Sequence, residues 1–138
     1  MKDSAVKEAI KMRQRAVATY SNYTVGAAVV TETGEIIGGC NVESSSYGLT
    51  CCAERIAIYN ALSAGHKNFT VMAVATDNGG KPCGACRQVI WDICGEIKIY
   101  TVDGEGNILE TTSANLLPDA FGGSVSYTHL TLPTILLV

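Results

Sequence analysis

The chemistry in this chain is concentrated in two short stretches. Thr50-Cys51-Cys52-Ala53-Glu54-Arg55 is answered by Lys81-Pro82-Cys83-Gly84-Ala85-Cys86. The second is a Cys-x-x-Cys that opens a predicted helix. Residues three apart on a helical turn share a face, so Cys83 and Cys86 can reach one ion. In the first stretch Glu54 follows Cys52 by two residues, a spacing that does not put both side chains on the same metal. Cys52, Cys83 and Cys86 therefore make a three-thiolate set with one coordination position left open. That describes a catalytic zinc better than a structural one. A carboxylate beside the open position, Glu54, can handle the protons of a water bound there. The competing reading is a closed four-thiol site that also uses Cys51, Cys94 or Cys40. Structural sites usually pair two Cys-x-x-Cys arms, and this chain has one.

Helices must present these groups, and their ends are legible. Ser4 is a candidate N-cap for a first helix running to about Thr19, with apolar residues at Val6, Ala9, Ile10, Ala16 and Val17. Val25–Thr31 and Ile36–Asn41 read as a hairpin around Glu32-Thr33-Gly34-Glu35. Val42–Thr50 is a loop leading to a helix over Cys52–Ala64, expected to be covered on most sides and stopped by Gly65. A buried strand over Thr70–Thr76, a polar loop and a helix over Gly84–Cys94 follow, the helix stopped by Gly95. Strands over Ile97–Val102 and Ile108–Thr111 flank a Gly-rich turn, and a helical turn over Ser113–Leu117 ends at Pro118. The order implies an α/β sandwich whose mixed sheet is crossed by the two metal-bearing helices.

Composition narrows the class. The chain has 138 residues, 47% hydrophobic and 17% charged, which suits one domain with apolar surface to spare for a subunit interface. A net charge of −3 argues against a basic face for duplex nucleic acid. Met1-Lys2-Asp3-Ser4 leads into a charged amphipathic segment rather than a signal core, and no run is long enough to span a bilayer. Six cysteines without a secretion signal point to the cytoplasm, with thiols reduced and no membrane association. Beyond the three thiolates, Cys40, Cys51 and Cys94 read as small buried hydrophobes.

Five stretches carry a family resemblance, and they occur in the family's order. They are Tyr20-Ser21-Asn22-Tyr23-Thr24-Val25-Gly26-Ala27-Ala28, Gly39-Cys40-Asn41-Val42-Glu43, Cys52-Ala53-Glu54-Arg55, Pro82-Cys83-Gly84-Ala85-Cys86-Arg87-Gln88 and Leu116-Leu117-Pro118-Asp119-Ala120-Phe121-Gly122. Together they resemble the small, homotetrameric, zinc-dependent cytidine deaminases. A Cys₃ zinc site with a non-ligand Glu two residues after the first ligand and a downstream Pro-Cys-x-x-Cys is the signature of zinc nucleobase deaminases. The resemblance covers residues 1–122 as a single domain. Residues 123–138 are atypical of the family, carry no charge and read as foreign to that domain.

The resemblance implies a three-layer α/β/α sandwich with a mixed five-stranded sheet, and one zinc per chain on Cys52, Cys83 and Cys86. It implies hydrolysis of cytidine and 2′-deoxycytidine in pyrimidine salvage, with Glu54 carrying protons to N3 and to the leaving amine. By the same resemblance Arg55 hydrogen-bonds the ligand sulfurs, Asn41 and Glu43 bind ribose, and the Ala53 backbone meets the pyrimidine. Tyr23 stands at the family's usual Phe position against base or sugar, its hydroxyl a departure. Tyr47 and Phe121 would reach a neighbouring subunit's site in a homotetramer. Taken alone, Arg55 reads as a surface ion pair, Glu54 as a helix-start acid, Asn41 as a strand-end turn residue and the two aromatics as core.

Two other functions compete. A blasticidin-type deaminase shares the zinc machinery, but Asn41-Val42-Glu43 argues for a ribose. A zinc-stabilised binding module would have a closed site, against the three-ligand set. Nucleic-acid editing has no basic, aromatic-interleaved surface to support it.

Overall fold

The computed structural model describes residues 1–122; the atypical stretch over 123–138 lies outside the described residues. Helix α1 (Lys2–Arg13) leads into β1 (Gly26–Thr31) and β2 (Ile36–Cys40). Then come α2 (Ala53–Ser63), β3 (Phe69–Ala75), α3 (Gly84–Cys94), β4 (Lys98–Val102), β5 (Ile108–Thr112) and a short α4 (Ser113–Leu116). The sheet has five strands in the order β2-β1-β3-β4-β5. Only β3 and β4 pair in parallel; the other three pairings are antiparallel. The fold is thus the expected mixed sheet between helical layers.

Strand alternation explains the layers. On β1, Ala27 and Val29 face a core with Ala57, Ile58 and Ala61 of α2 and Ile90 of α3. Ala28 and Val30 point the other way, toward Ala5, Val6 and Ala9 of α1. β3 repeats this, with Met72 and Val74 on one side and Ala73 and Ala75 on the other. Strands buried on both faces read as continuous apolar runs, as Gly26–Thr31 does.

Small residues let helices lie directly on the sheet. A Cβ at Gly39 of β2 would stand 2.9 Å from Ala53 O and Ala57 Cα of α2, and closer still to the Ala57 amide. Gly39→Ala therefore has backbone to push, not a flexible side chain. We expect it to destabilise the fold by about 1–3 kcal/mol, the usual range for overpacking. Thermal unfolding checks this: an unchanged Tm would mean that α2 can slide off β2 without loss.

Four sequence expectations are corrected. Helix α1 begins at Lys2 with Met1 as its N-cap, so Ser4 lies inside it. It ends at Arg13 rather than near Thr19, because Val17 leaves the helix to pair with the end of β2. Val17 N donates to Asn41 O at 2.9 Å and Glu43 N to Val17 O at 2.8 Å. Helical periodicity at Ala16 and Val17 is overridden by this long-range pairing. Helix α2 is covered on one side only: Ala53, Glu54, Ala57, Ile58 and Ala61 are buried, while Tyr59 and Leu62 are exposed. Cys40, Cys51 and Cys94 are half-buried rather than core residues. Burial nevertheless raises the Cys51 thiol and pushes Cys94 up to about 12.

Candidate active site

Two helix starts converge on one point. Cys52 is the N-cap of α2 and Cys83 the N-cap of α3, both with extended backbone; Cys86 lies one turn into α3 and is buried. Helix N-termini favour negative charge, and Cys52 sits where a thiolate is stabilised. Cys83 thus caps its helix rather than occupying the first turn, which aims its sulfur back toward Cys52. The Sγ atoms of Cys52 and Cys83 are 3.8 Å apart and those of Cys83 and Cys86 3.6 Å. All three lie within 4.8 Å of one another, and they are the only metal-type cluster among the described residues.

These separations fit a zinc ion. With Zn–S bonds of about 2.3 Å, tetrahedral geometry places two sulfurs about 3.8 Å apart. The electrostatics agree. Cys52 is drawn down to about 5, first by the Cys86 thiol donating to it, then by Arg55 and Cys83, against the cost of burial. Cys86 is pushed far up, because it is the donor to Cys52 and because it is buried. One thiolate forms readily here; further thiolates crowd like charge into a partly dry site and call for a divalent cation. Cys40, Cys51 and Cys94 are outside the cluster, so the closed four-thiol alternative has no fourth sulfur among the described residues.

Glu54, in the first turn of α2, is only 4% exposed and lines a cleft together with Cys52 and Cys83. Burial pushes it up to about 7; its own backbone N–H offsets part of this, and the Cys52 charge adds to it. A buried carboxyl poised near neutrality can both accept and donate a proton. Arg55 Nη2 donates to Cys52 Sγ at 3.4 Å, and the sulfurs hold the guanidinium more firmly protonated than usual. Its Nε is buried without a partner among the described residues. Arg55 therefore points inward to sulfur rather than outward to a surface carboxylate.

The cleft, of about 300 Å³, is lined by Tyr23, Asn41, Glu43, Cys52, Glu54 and Cys83 from the sequence reading. It also takes in Ser21, Val25, Thr50, Thr76, Gly80 and Lys81, which that reading missed as site residues. Lys81 precedes the Pro-Cys-x-x-Cys motif and could have been found by that adjacency; Thr76 and Gly80 carried no signal. Asn41 spends its carboxamide on the scaffold: Oδ1 accepts from Val25 N at 2.9 Å and Nδ2 donates to Tyr23 O at 2.9 Å. Glu43 accepts from the backbone N–H groups of Tyr20 and Ser21 at 2.9 and 3.0 Å, and from the Ser21 hydroxyl. The Ser21 hydroxyl is the main reason its carboxyl is held below the usual range. Both residues face the same loop, as alternation predicts. The Tyr23 hydroxyl donates to Asn78 Oδ1 at 2.8 Å.

The remaining site candidates do not line the cleft. Ala53 is fully buried in the core. Tyr47 borders an adjoining hollow with Tyr20, Ser21 and Glu43, and stacks edge-on against Tyr20 at 6.2 Å. Phe121 is 86% exposed, with its carbonyl held by Gln88 Nε2 at 2.8 Å. A larger hollow of about 550 Å³ between Arg13 and the Asp103–Gly106 turn contains no thiol cluster and is not where the chemistry lies.

A metal-type thiolate triad and a buried carboxyl beside a cleft on an α/β/α sandwich fit a metal-dependent enzyme. Residues 1–101 match the family model for the cytidine and deoxycytidylate deaminase zinc-binding region. Cytidine deaminase from Sporosarcina psychrophila is 46% identical over 122 residues, covering 86% of this chain and 90% of that protein. The enzyme of that name from Halalkalibacterium halodurans is 44% identical over 119 residues, covering 84% and 90%. A crystal structure of cytidine deaminase from Burkholderia pseudomallei superimposes with a TM-score of 0.84 at 40% identity, covering 88% of this chain and 99% of that one. The chain belongs to the cytidine and deoxycytidylate deaminase family of zinc-binding hydrolases.

Proposed function

We propose that this protein hydrolyses cytidine and 2′-deoxycytidine to uridine and 2′-deoxyuridine, releasing ammonia, in cytoplasmic pyrimidine salvage. The observation that carries this reading is the buried Glu54 carboxyl lining one cleft with Cys52 and Cys83 of the three-thiolate set. Zinc on Cys52, Cys83 and Cys86 would supply a water of lowered pKa beside the base. Glu54 takes a proton from the attacking water and delivers it to N3 of cytosine. Oxygen adds at C4, Glu54 carries the second proton to the amine, the C4–N bond breaks and ammonia leaves. Arg55 offsets the negative charge of the thiolates. Asn41 fixes the loop through which Tyr23 reaches base or sugar, and the Ala53 backbone bounds the pyrimidine.

A nucleoside suits this cleft better than a nucleotide. Lys81 is the one cation among its described lining residues, and the Glu43 carboxylate stands at the sugar end, where a phosphate would be repelled. Assaying cytidine, 2′-deoxycytidine and their 5′-monophosphates side by side tests this. Turnover of the nucleosides alone is expected; preference for a monophosphate would overturn the reading.

Glu43 is assigned to a sugar hydroxyl, and Glu43→Ala is expected to lower kcat/KM on cytidine by about tenfold, the effect of one charge-assisted hydrogen bond. The loss on 2′,3′-dideoxycytidine should be much smaller. Equal losses would restrict Glu43 to tethering Tyr20 and Ser21.

The catalytic unit is residues 1–122, assembled as a homotetramer in which Tyr47 and Phe121 complete a neighbour's site. Supporting this are large apolar side chains left exposed on one chain: Tyr47 at 76%, Leu49 at 74% and Phe121 at 86%. Light scattering should find a tetramer for the full chain and for a chain ending at Gly122. An active monomer would contradict the shared site.

A further inference from the structure

The cleft has two walls that come from distant parts of the chain, and they meet at one hydrogen bond outside the metal site. One wall is the segment before β1, with Ser21, Tyr23 and Val25; the other runs from Thr76 through Gly80 and Lys81 to Cys83. The Tyr23 hydroxyl donates across the gap to Asn78 Oδ1 at 2.8 Å. That oxygen also accepts from Gly80 N at 3.0 Å and lies 3.3 Å from the Thr76 hydroxyl. Gly80 N is held a second time by the Thr76 hydroxyl at 2.9 Å. Thr76 is anchored in turn, its amide donating to Val102 O at 3.1 Å. Asn78 is therefore the node where the second wall is tied both to the sheet and to the first wall.

Two further observations show that the walls are fitted to each other. Gly79 has φ +75°, which L side chains rarely adopt, so the loop is shaped to turn at that point. A Cβ at Gly80 would stand 2.6 Å from the Tyr23 hydroxyl, so the loop backbone passes directly against the tip of the ring. Three residues after Gly80 comes Cys83, so the same tie fixes the approach to the metal site.

We propose that the Tyr23–Asn78 clasp sets the width of the cleft, making Asn78 a positioning residue and the Tyr23 hydroxyl a specificity determinant against cytidines substituted at C5 or N4. The inference rests on the cytidine reading above. With the clasp closed, Gly80 and the ring tip are held together and an added methyl on the base has to part them. Without it, the 77–81 loop can yield while the thiolates and Glu54 stay in place.

The test compares wild type, Tyr23→Phe, Asn78→Ala and the double variant, all zinc-loaded. The readout is the ratio of kcat/KM for 5-methylcytidine or N4-methylcytidine to that for cytidine. Each single variant should raise this ratio about tenfold, and the double variant should add little to Asn78→Ala, which already removes the Tyr23 contact. Amide exchange at Gly80 should quicken about fivefold in Asn78→Ala, which removes one of that amide's two acceptors. A purely structural loop tie would lower turnover of all three nucleosides alike and leave the ratio unchanged, which overturns the proposal. Additive gains in the double variant, or unaltered exchange at Gly80, overturn it too. Wild type that turns over none of the nucleosides defeats the cytidine reading itself, whereas wild-type activity with an unmoved ratio defeats the clasp alone.

Discussion

Glu54→Gln is expected to retain zinc and still bind a pyrimidine nucleoside, yet to lose on the order of 10²–10⁴ in turnover, the range for a positioned acid–base group. The substitution is close to isosteric and neutral. Because burial already pushes the Glu54 carboxyl up to about 7, a neutral side chain fits that pocket without a new desolvation cost. The fold and the nearby sulfurs should therefore be undisturbed, and the loss should fall on kcat. Steady-state kinetics with metal analysis and a nucleoside-binding titration separate these effects. Turnover near wild type in a zinc-replete variant would remove Glu54 from the proton path. Loss of zinc along with activity would instead make it a support for the metal.

The second large effect concerns the thiolates. Cys52→Ala, Cys83→Ala and Cys86→Ala are each expected to abolish stoichiometric zinc and with it all measurable activity. Cys40→Ala, Cys51→Ala and Cys94→Ala should keep one zinc per chain. The neighbours Cys51 and Cys52 make the sharpest comparison. Cys52 is drawn down to about 5 and lies 3.8 Å from Cys83, whereas burial raises Cys51 and leaves it outside the cluster. Zinc lost from Cys51→Ala but kept in Cys52→Ala would shift the ligand assignment by one residue. Because Cys86 is fully buried, its Ala variant also leaves a cavity, so its unfolding should be followed beside its metal content.

Much of this was legible in the sequence because it is local. Helix α3 spans Gly84–Cys94 as read from its motif and from Gly95, which has φ +67°. The spacing of Cys83 and Cys86 within one turn, and of Cys52 and Glu54 across a helix start, needed no tertiary information. Layers followed from the order of elements. What escaped depends on contacts between distant segments. Val17 gives up a helical pattern for the Asn41 and Glu43 backbone, and the Asn41 carboxamide is consumed by Tyr23 and Val25. No periodicity announces such partners. The Tyr23 hydroxyl looked like an unplaced departure until Asn78 appeared across the cleft. Exposure is likewise a property of the whole surface: Phe121 and Tyr47 are not core, although core is the common fate of aromatics.

The thiolate triad and Glu54 together are expected to make a cytidine hydrolase. The most direct test incubates the full chain with cytidine and measures uridine and ammonia together, before zinc is chelated, after chelation, and after zinc is restored. One uridine per ammonia, lost on chelation and regained on zinc addition, is the result expected. Cytidine left unchanged by a folded protein carrying one zinc per chain would contradict it.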